Sequence, residues 1–328
     1  MEKISHLLRK KFTVGCLIVL LAGFLAILDN DFSSAKTIAR ATVQKIQYRQ
    51  WPDSMVLSNG KVEAVIVPAI GRVMQFRFAG EEDGPFWEND ELFGKSPDPK
   101  SLTWGNFGGD KTWPAPQSDW PKITSRGWPP PQAFDSMPVT AEVKQNLLTS
   151  MVELTSPVDP HYGIRTRRLI QLDPRRSQML ITTRYEKVEG DPVRVGVWII
   201  TQLKDPQAVH IFLPKNTIFA EGYTKQSKQL PAGLKQHGRL LSLRRDPKVS
   251  TKIGTDASSL LWIGEKYTLR IDSPRMPNAT YPDQGSSAEV YTNSDPLKYV
   301  ELEMLGPLKT MKVGDRLEHT NTYTLSRK

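Results

Sequence analysis

The sequence predicts an all-β chain built as one large sandwich of antiparallel sheets. Three observations carry that prediction: apolar residues alternate with period two, no convincing amphipathic helix interrupts them, and Pro, Gly, Asn and Asp punctuate them at short intervals. The 328 residues would suffice for two average domains. Past residue 35, however, the chain shows no internal boundary and no repeat of roughly 20 to 50 residues, and sandwiches of this size occur as single units. With 38% hydrophobic and 24% charged residues the chain can bury a sizeable core, which excludes disorder throughout.

Residues 1–35 differ from the rest. Arg9, Lys10 and Lys11 precede an unbroken apolar run from Phe12 to Leu28 that stops at Asp29. Its length lies at the border between a secretory apolar region of about 7 to 15 residues and a spanning helix of about 17 to 25. Ser33-Ser34-Ala35 supplies the small residues a signal peptidase reads, so cleavage after Ala35 is favoured over a retained anchor. Under both fates residues 36–328 form the single domain and lie in the periplasm or otherwise outside the cytoplasm. They touch the membrane only through the N-terminal segment, if it is uncleaved.

The one cysteine, Cys16, stands inside that apolar run, so the domain lacks the means for a disulfide, a cysteine nucleophile or a thiolate metal site. The net charge of +9 is scattered over strand-like segments, as at Arg165, Arg167 and Arg168, with no nucleic-acid motif, and nucleic acid is not an expected partner.

The first hairpin joins Met55–Ser58 to Lys61–Val67 through Asn59-Gly60, a dipeptide that suits a tight two-residue turn. Gly71 permits a second reversal into Val73–Phe78, where Met74, Phe76 and Phe78 share one face. Further strands are predicted over Ser150–Thr155, Arg165–Leu172, Gln178–Lys187, Arg194–Leu203 and Ala208–Leu213. The series continues with Leu240–Leu243, Ser259–Ile263, Tyr267–Ile271, Ala288–Thr292, Tyr299–Met304 and His319–Ser326.

Between these strands, residues 104–134 read as an irregular stretch that holds four of the eight tryptophans: Trp104, Trp113, Trp120 and Trp128. Indole faces stack on the C–H faces of pyranose rings while nearby polar groups bond the hydroxyls, and Asp110, Lys111, Gln117 and Asp119 could be those groups. The prolines at 114, 116, 121 and 129–131 would stiffen such a loop and lower the entropy cost of binding. The alternative is that these tryptophans close one end of the sandwich.

In Ser286–Pro307, period two places Glu301 and Glu303 on one face and Val300, Leu302 and Met304 on the other. If that face is a cleft, paired carboxylates suit acid–base chemistry at sugar carbon; if it meets bulk water, they are surface residues.

The segments NGKVEAVIVPAIGRVMQFRF, GGDKTWPAPQ, EVYTN and YVELEMLGPL resemble an uncharacterised family of the galactose mutarotase-like (aldose 1-epimerase-like) superfamily over most of the chain. The resemblance implies a supersandwich of two large antiparallel sheets with a sugar cleft. It also implies a glutamate on a late strand that deprotonates the anomeric hydroxyl, which Glu303 matches by order and context, and a histidine that protonates the ring oxygen. The mid-chain strand where the superfamily carries that histidine reads VGVWIITQL here, with Trp198, Thr201 and Gln202 instead. His161, in DPHYGIRTRR, is the best remaining candidate for a cleft acid, with Lys111 or Asp110 as the alternatives.

The expected catalytic set is therefore Glu303, Glu301 and His161, and the expected substrate contacts are Asp110, Lys111, Trp113, Gln117, Trp104, Trp198 and Gln202. The expected partner is a mono- or oligosaccharide. No metal-ligand spacing and no Gly-x-Ser-x-Gly elbow occurs, and neither metal nor cofactor is expected. Three function classes stay open: an enzyme at carbohydrate carbon, a non-catalytic carbohydrate-binding module, and an envelope structural protein on the same scaffold.

Overall fold

The alternation in the sequence becomes alternation in burial. Along Ile164–Leu172 the residues Ile164, Thr166, Arg168, Ile170 and Leu172 are buried and those between them are half exposed. The computed structural model describes residues 41–98, 103–146 and 149–328, so the segment expected to direct export, and the cleavage expected after Ala35, lie outside the described residues.

The strands follow in the order β1 (Thr42–Tyr48), β2 (Trp51–Ser58), β3 (Val62–Val67), β4 (Arg72–Phe78), β5 (Asp110–Ala115), β6 (Thr140–Gln145) and β7 (Ser150–Asp159). Next come β8 (Ile164–Leu172), β9 (Gln178–Lys187), β10 (Val193–Lys204), β11 (Ala208–Phe212), β12 (Thr224–Lys225), β13 (Lys235–His237) and β14 (Leu240–Leu243). The last are β15 (Thr251–Thr255), β16 (Ser259–Ile263), β17 (Tyr267–Asp272), β18 (Ala288–Thr292), β19 (Tyr299–Leu305), β20 (Lys309–Met311) and β21 (Arg316–Arg327). Two short helices, α1 (Trp120–Thr124) and α2 (Gln132–Asp135), lie between β5 and β6.

The strands form two large antiparallel sheets. The first runs β1-β2-β3-β4-β5-β10-β19-β18-β15-β12, with β20 also on β10, and the second runs β13-β14-β11-β16-β17-β21-β9-β8-β7-β6. Their inner faces share one core: Val290, Val300, Leu302 and Met304 from the first sheet belong to the same buried cluster as Ile170, Met179, Ile181, Leu269 and Ile271 from the second. Adjacent side chains on a strand point to opposite faces, so this packing sends Glu301 and Glu303 to the outer face of the first sheet.

Three details differ from the sequence reading. Met74 packs with Trp51, Val65 and Phe107, whereas Phe76 lies in the inter-sheet core with Phe78 packed against it, because the β3–β4 register shifts at Val65/Ile66, so the three do not share one face. β2 ends at Ser58 and β3 begins at Val62, so three residues, 59–61, rather than two connect them. Asn59 shapes that longer turn through its side chain: Oδ1 accepts from the Lys61 and Val62 amides at 2.9 Å, and Nδ2 donates to the Asp173 and Arg176 carbonyls.

The third difference lies within 104–134, which is not wholly irregular. Asp110–Ala115 is an interior strand, buried at every residue and therefore without alternation to reveal it. Pro114 is tolerated because β4 reaches β5 only at Val73 opposite Asp110, so no ladder bond is lost on that side.

Candidate functional site

Strand register assembles the site. One row on the outer face runs Lys111, Ile200, Glu303 and Glu289 across β5, β10, β19 and β18. The adjacent row runs Gln202, Glu301, Tyr291 and Lys252 across β10, β19, β18 and β15, and Trp113 stands opposite Trp198. The segment after β5 folds over this face and brings further tryptophans to it.

The result is a cavity of about 610 Å³ walled by Trp104, Trp113, Trp128 and Trp198 on one side, with Tyr291 and Tyr299 also in its lining. Glu301, Glu303, Lys252, Asn106, Gln117 and Gln226 supply polar groups. A cleft of this volume with aromatic walls and a few convergent polar groups is the general form of a small-molecule site.

The indoles are held in place. The Asp135 carboxylate accepts from Trp113 Nε1 at 2.8 Å and Trp104 Nε1 at 3.1 Å, and is itself fixed by the buried Arg72 guanidinium at 2.8 Å. Trp113 meets Trp104, Trp128 and Trp198 edge to face, at interplanar angles of 70°, 78° and 88°. Trp128 is the most exposed of the four, at 46%.

Charge is arranged around two lysines. Lys252 Nζ stands 2.6 Å from Glu289 and 2.8 Å from Glu303, and 4.6 Å above the Trp198 ring. Trp198 Nε1 donates to the same Glu303 oxygen at 2.7 Å. One ammonium cannot neutralise two carboxylates. Burial, reinforced by Glu303 and opposed by Lys252, pushes Glu289 up to about 8. Burial alone would discharge Lys252, but Glu289 and Glu303 outweigh it and hold the ammonium well above its usual range.

Lys111 lies 3.7 Å from Glu301, and its Nζ has no hydrogen-bond partner among the described residues. Its cation faces the Trp113 and Trp104 rings at 5.1 and 5.6 Å. Burial brings Lys111 down to about 8, with the pull of Glu301 offsetting only part of that. Glu301 accepts from Gln202 Nε2 at 2.9 Å, and burial raises its carboxyl against the opposing charge of Lys111.

Of the residues expected from sequence, Glu301, Glu303, Trp104, Trp113, Gln117 and Trp198 line one cavity. Lys111 and Gln202 stand directly behind Glu301. Asp110 lies elsewhere: as the strand neighbour of Lys111 it points between the sheets, where it pairs with Arg168 and accepts from Thr201 and Tyr323. His161 lines a different cavity of about 300 Å³, beside Arg126 and Pro129–131, because the β7–β8 turn that carries it lies across the proline segment.

The structure adds Lys252, Glu289, Asp135, Arg72, Tyr291 and Tyr299, which no local pattern singled out. The signal that was available for Tyr291 and Glu289 was their period-two spacing on EVYT beside the Glu301–Glu303 strand.

No family model and no curated protein matches the sequence. Solved structures do match the fold. A galactose mutarotase-like protein from Lactobacillus casei aligns with a TM-score of 0.55 at 8% identity, over 83% of this chain and 100% of that one. Another from Clostridium acetobutylicum gives 0.55 at 10% identity, over 88% and 99%. A TPR-domain containing protein from Parabacteroides distasonis gives 0.56 at 14% identity over 83% of this chain, which spans only 47% of that longer one. Together with the two antiparallel sheets described above, these matches give the chain the fold of the galactose mutarotase-like proteins.

Proposed function

We propose that the tryptophan-walled cavity is a carbohydrate site. The observation that carries the reading is the convergence of indoles with Glu301, Glu303, Asn106 and Gln117 on one cavity: Trp104 and Trp128 offer apolar surface for sugar C–H groups, the nearly buried Trp113 and Trp198 form the floor beneath them, and the polar groups supply acceptors and donors for hydroxyls. Hydrogen bonds to Asp135 preset Trp104 and Trp113, and one to Glu303 presets Trp198, which lowers the ordering left for the ligand to induce. The export expected of residues 1–35 would place this cavity before glycans outside the cytoplasm.

Binding without catalysis is the better-supported form of this reading. Glu303 is placed to take a proton from a sugar hydroxyl, but among the described residues no histidine lines this cavity, Lys252 is held in its charged form too firmly to give up a proton, and Lys111, which burial brings to about 8, stands behind Glu301 and outside the lining. Glu289, which keeps its proton at neutral pH, is engaged by Lys252 and Gln226.

Saturation-transfer NMR of the full chain against a panel of aldoses and oligosaccharides tests the proposal. Binding that Trp113→Ala weakens at least tenfold is the expected result, with no acceleration of anomer exchange. Exchange accelerated by the parent and lost in Glu303→Gln would establish the enzymatic reading instead. The absence of binding by any sugar would leave only a scaffold role.

A further inference from the structure

We infer that the ligand is an oligosaccharide, held by its chain end beside Glu303 and continuing past Trp104 into a second cavity; this rests on the carbohydrate reading above. The second cavity has about 410 Å³ and is lined by Leu92, Lys95, Ser96, Gln132 and Asp135 among others. It is not a separate site. Trp104, Asn106 and Leu297 line both cavities, so the two adjoin across one shared wall.

Three features of that wall favour a ligand longer than one ring. The larger cavity already has the volume that holds a drug-sized molecule, more than a single hexose fills. Its aromatic surfaces also diverge: the Trp104 ring is turned 76° from Trp128 and 70° from Trp113, and Tyr291 and Tyr299 add a further pair 6.3 Å apart. One pyranose can stack on only one such direction, whereas successive rings of a glycan change orientation at each linkage.

The third feature is an unmet hydrogen bond at the junction. Asn106 is 8% exposed and its Oδ1 has no hydrogen-bond partner among the described residues. A buried acceptor left unpaired is costly, and a hydroxyl carried past Trp104 would satisfy it. Charge is also mixed along the path. The Glu303 end holds Lys252 between two carboxylates, and at the far end the exposed Lys95 shares the cavity lining with Asp98, so neither end is lined by cations alone. A neutral chain entering from the Ser96 side and ending at Glu303 fits this layout.

Calorimetric titration of the full chain with neutral glycan series, from monosaccharide to tetrasaccharide, tests the inference. The series are α-linked glucose, β-linked glucose and β-linked N-acetylglucosamine. In at least one series affinity should rise about tenfold or more with chain length, as one or two added aromatic contacts would give. Ser96→Arg, a change at an exposed position that fills the second cavity, should remove that gain, with thermal unfolding used to confirm that the variant is folded. Affinity that is flat with length in every series, or a gain that survives Ser96→Arg, overturns the inference while leaving the sugar site standing. Absence of binding at every length overturns the carbohydrate reading itself.

Discussion

Replacing Lys252 by Met removes the ammonium that stands 2.6 Å from Glu289 and 2.8 Å from Glu303. At 2.8 Å and an effective dielectric of about 20, the Lys252–Glu303 ion pair is worth roughly 6 kcal/mol before desolvation, and Glu289, protonated near neutral pH, adds less. The lysine side chain is 19% exposed and Glu289 and Glu303 are essentially buried, so desolvation cancels much of that while the pair is intact. It cancels nothing once the partner is gone. Breaking a buried pair from one side costs about 3–5 kcal/mol, and that is the destabilisation expected near neutral pH.

The sign of the pH dependence follows. Without Lys252 the two carboxylates face each other with no counter-charge, so the folded variant binds more protons at this pair than the parent, in which Glu289 alone is held up, and more than the unfolded chain does above the ordinary carboxylate value of 4.5; its stability therefore falls more steeply as pH rises from there. Urea unfolding followed by tryptophan fluorescence between about pH 5 and pH 8 should show a larger loss at the alkaline end. Adding Glu289→Gln to Lys252→Met should restore more than half of it. A loss below about 1 kcal/mol that is flat with pH would refute this account of the site's electrostatics.

Asp135→Ala leaves the buried Arg72 without its counterion and two indoles without their acceptor, and should cost about 3–5 kcal/mol in urea unfolding, with Asp135→Asn milder; unchanged tryptophan emission in both would contradict the tether. His319 is buried against the Ser273 hydroxyl, and burial lowers it from 6.5 to about 4, so the unfolded chain binds the extra proton between those values. Stability should therefore fall by about 3 kcal/mol on acidification across that window, and His319→Gln should flatten that part of the profile. Gly108 has φ +94° and a Cβ there would lie 2.2 Å from the Trp87 carbonyl oxygen, so Gly108→Ala should lower stability by about 2 kcal/mol or more, read from the shift in urea midpoint.

What the sequence made legible depends on whether a strand has one wet face. Ile164–Leu172 and Gln178–Lys187 do, and their alternation marks them. Tyr299–Leu305 is buried throughout, yet its outer face carries carboxylates, so the polar spacing of Glu301 and Glu303 still marks two faces. Asp110–Ala115 is also buried throughout, and there Asp110 and Lys111 are both polar. Nothing in DKTWPA tells which of the two faces the cavity. Thr251–Thr255, the strand that carries Lys252, offers only TKIGT, too short and too polar to announce itself. The Arg72–Asp135 pair joins residues 63 positions apart, beyond the reach of any local pattern.

The same alternation explains how the site is held rigid. Val300, Leu302 and Met304 lock β19 into the core between the sheets, and Glu301 and Glu303 are the residues between them. A slip of one residue in register would drive both carboxylates into the apolar core and three apolar side chains onto the outer face, so hydrophobic packing on one side fixes charge on the other. β10 repeats the arrangement, with Leu203 in the core and Trp198 and Gln202 on the outer face, hydrogen-bonded to Glu303 and Glu301. The carboxylate pair is thereby held by two strands whose positions are set by the core, while Trp104 and Trp128 reach the cavity from the connections on either side of β5, outside the ladder.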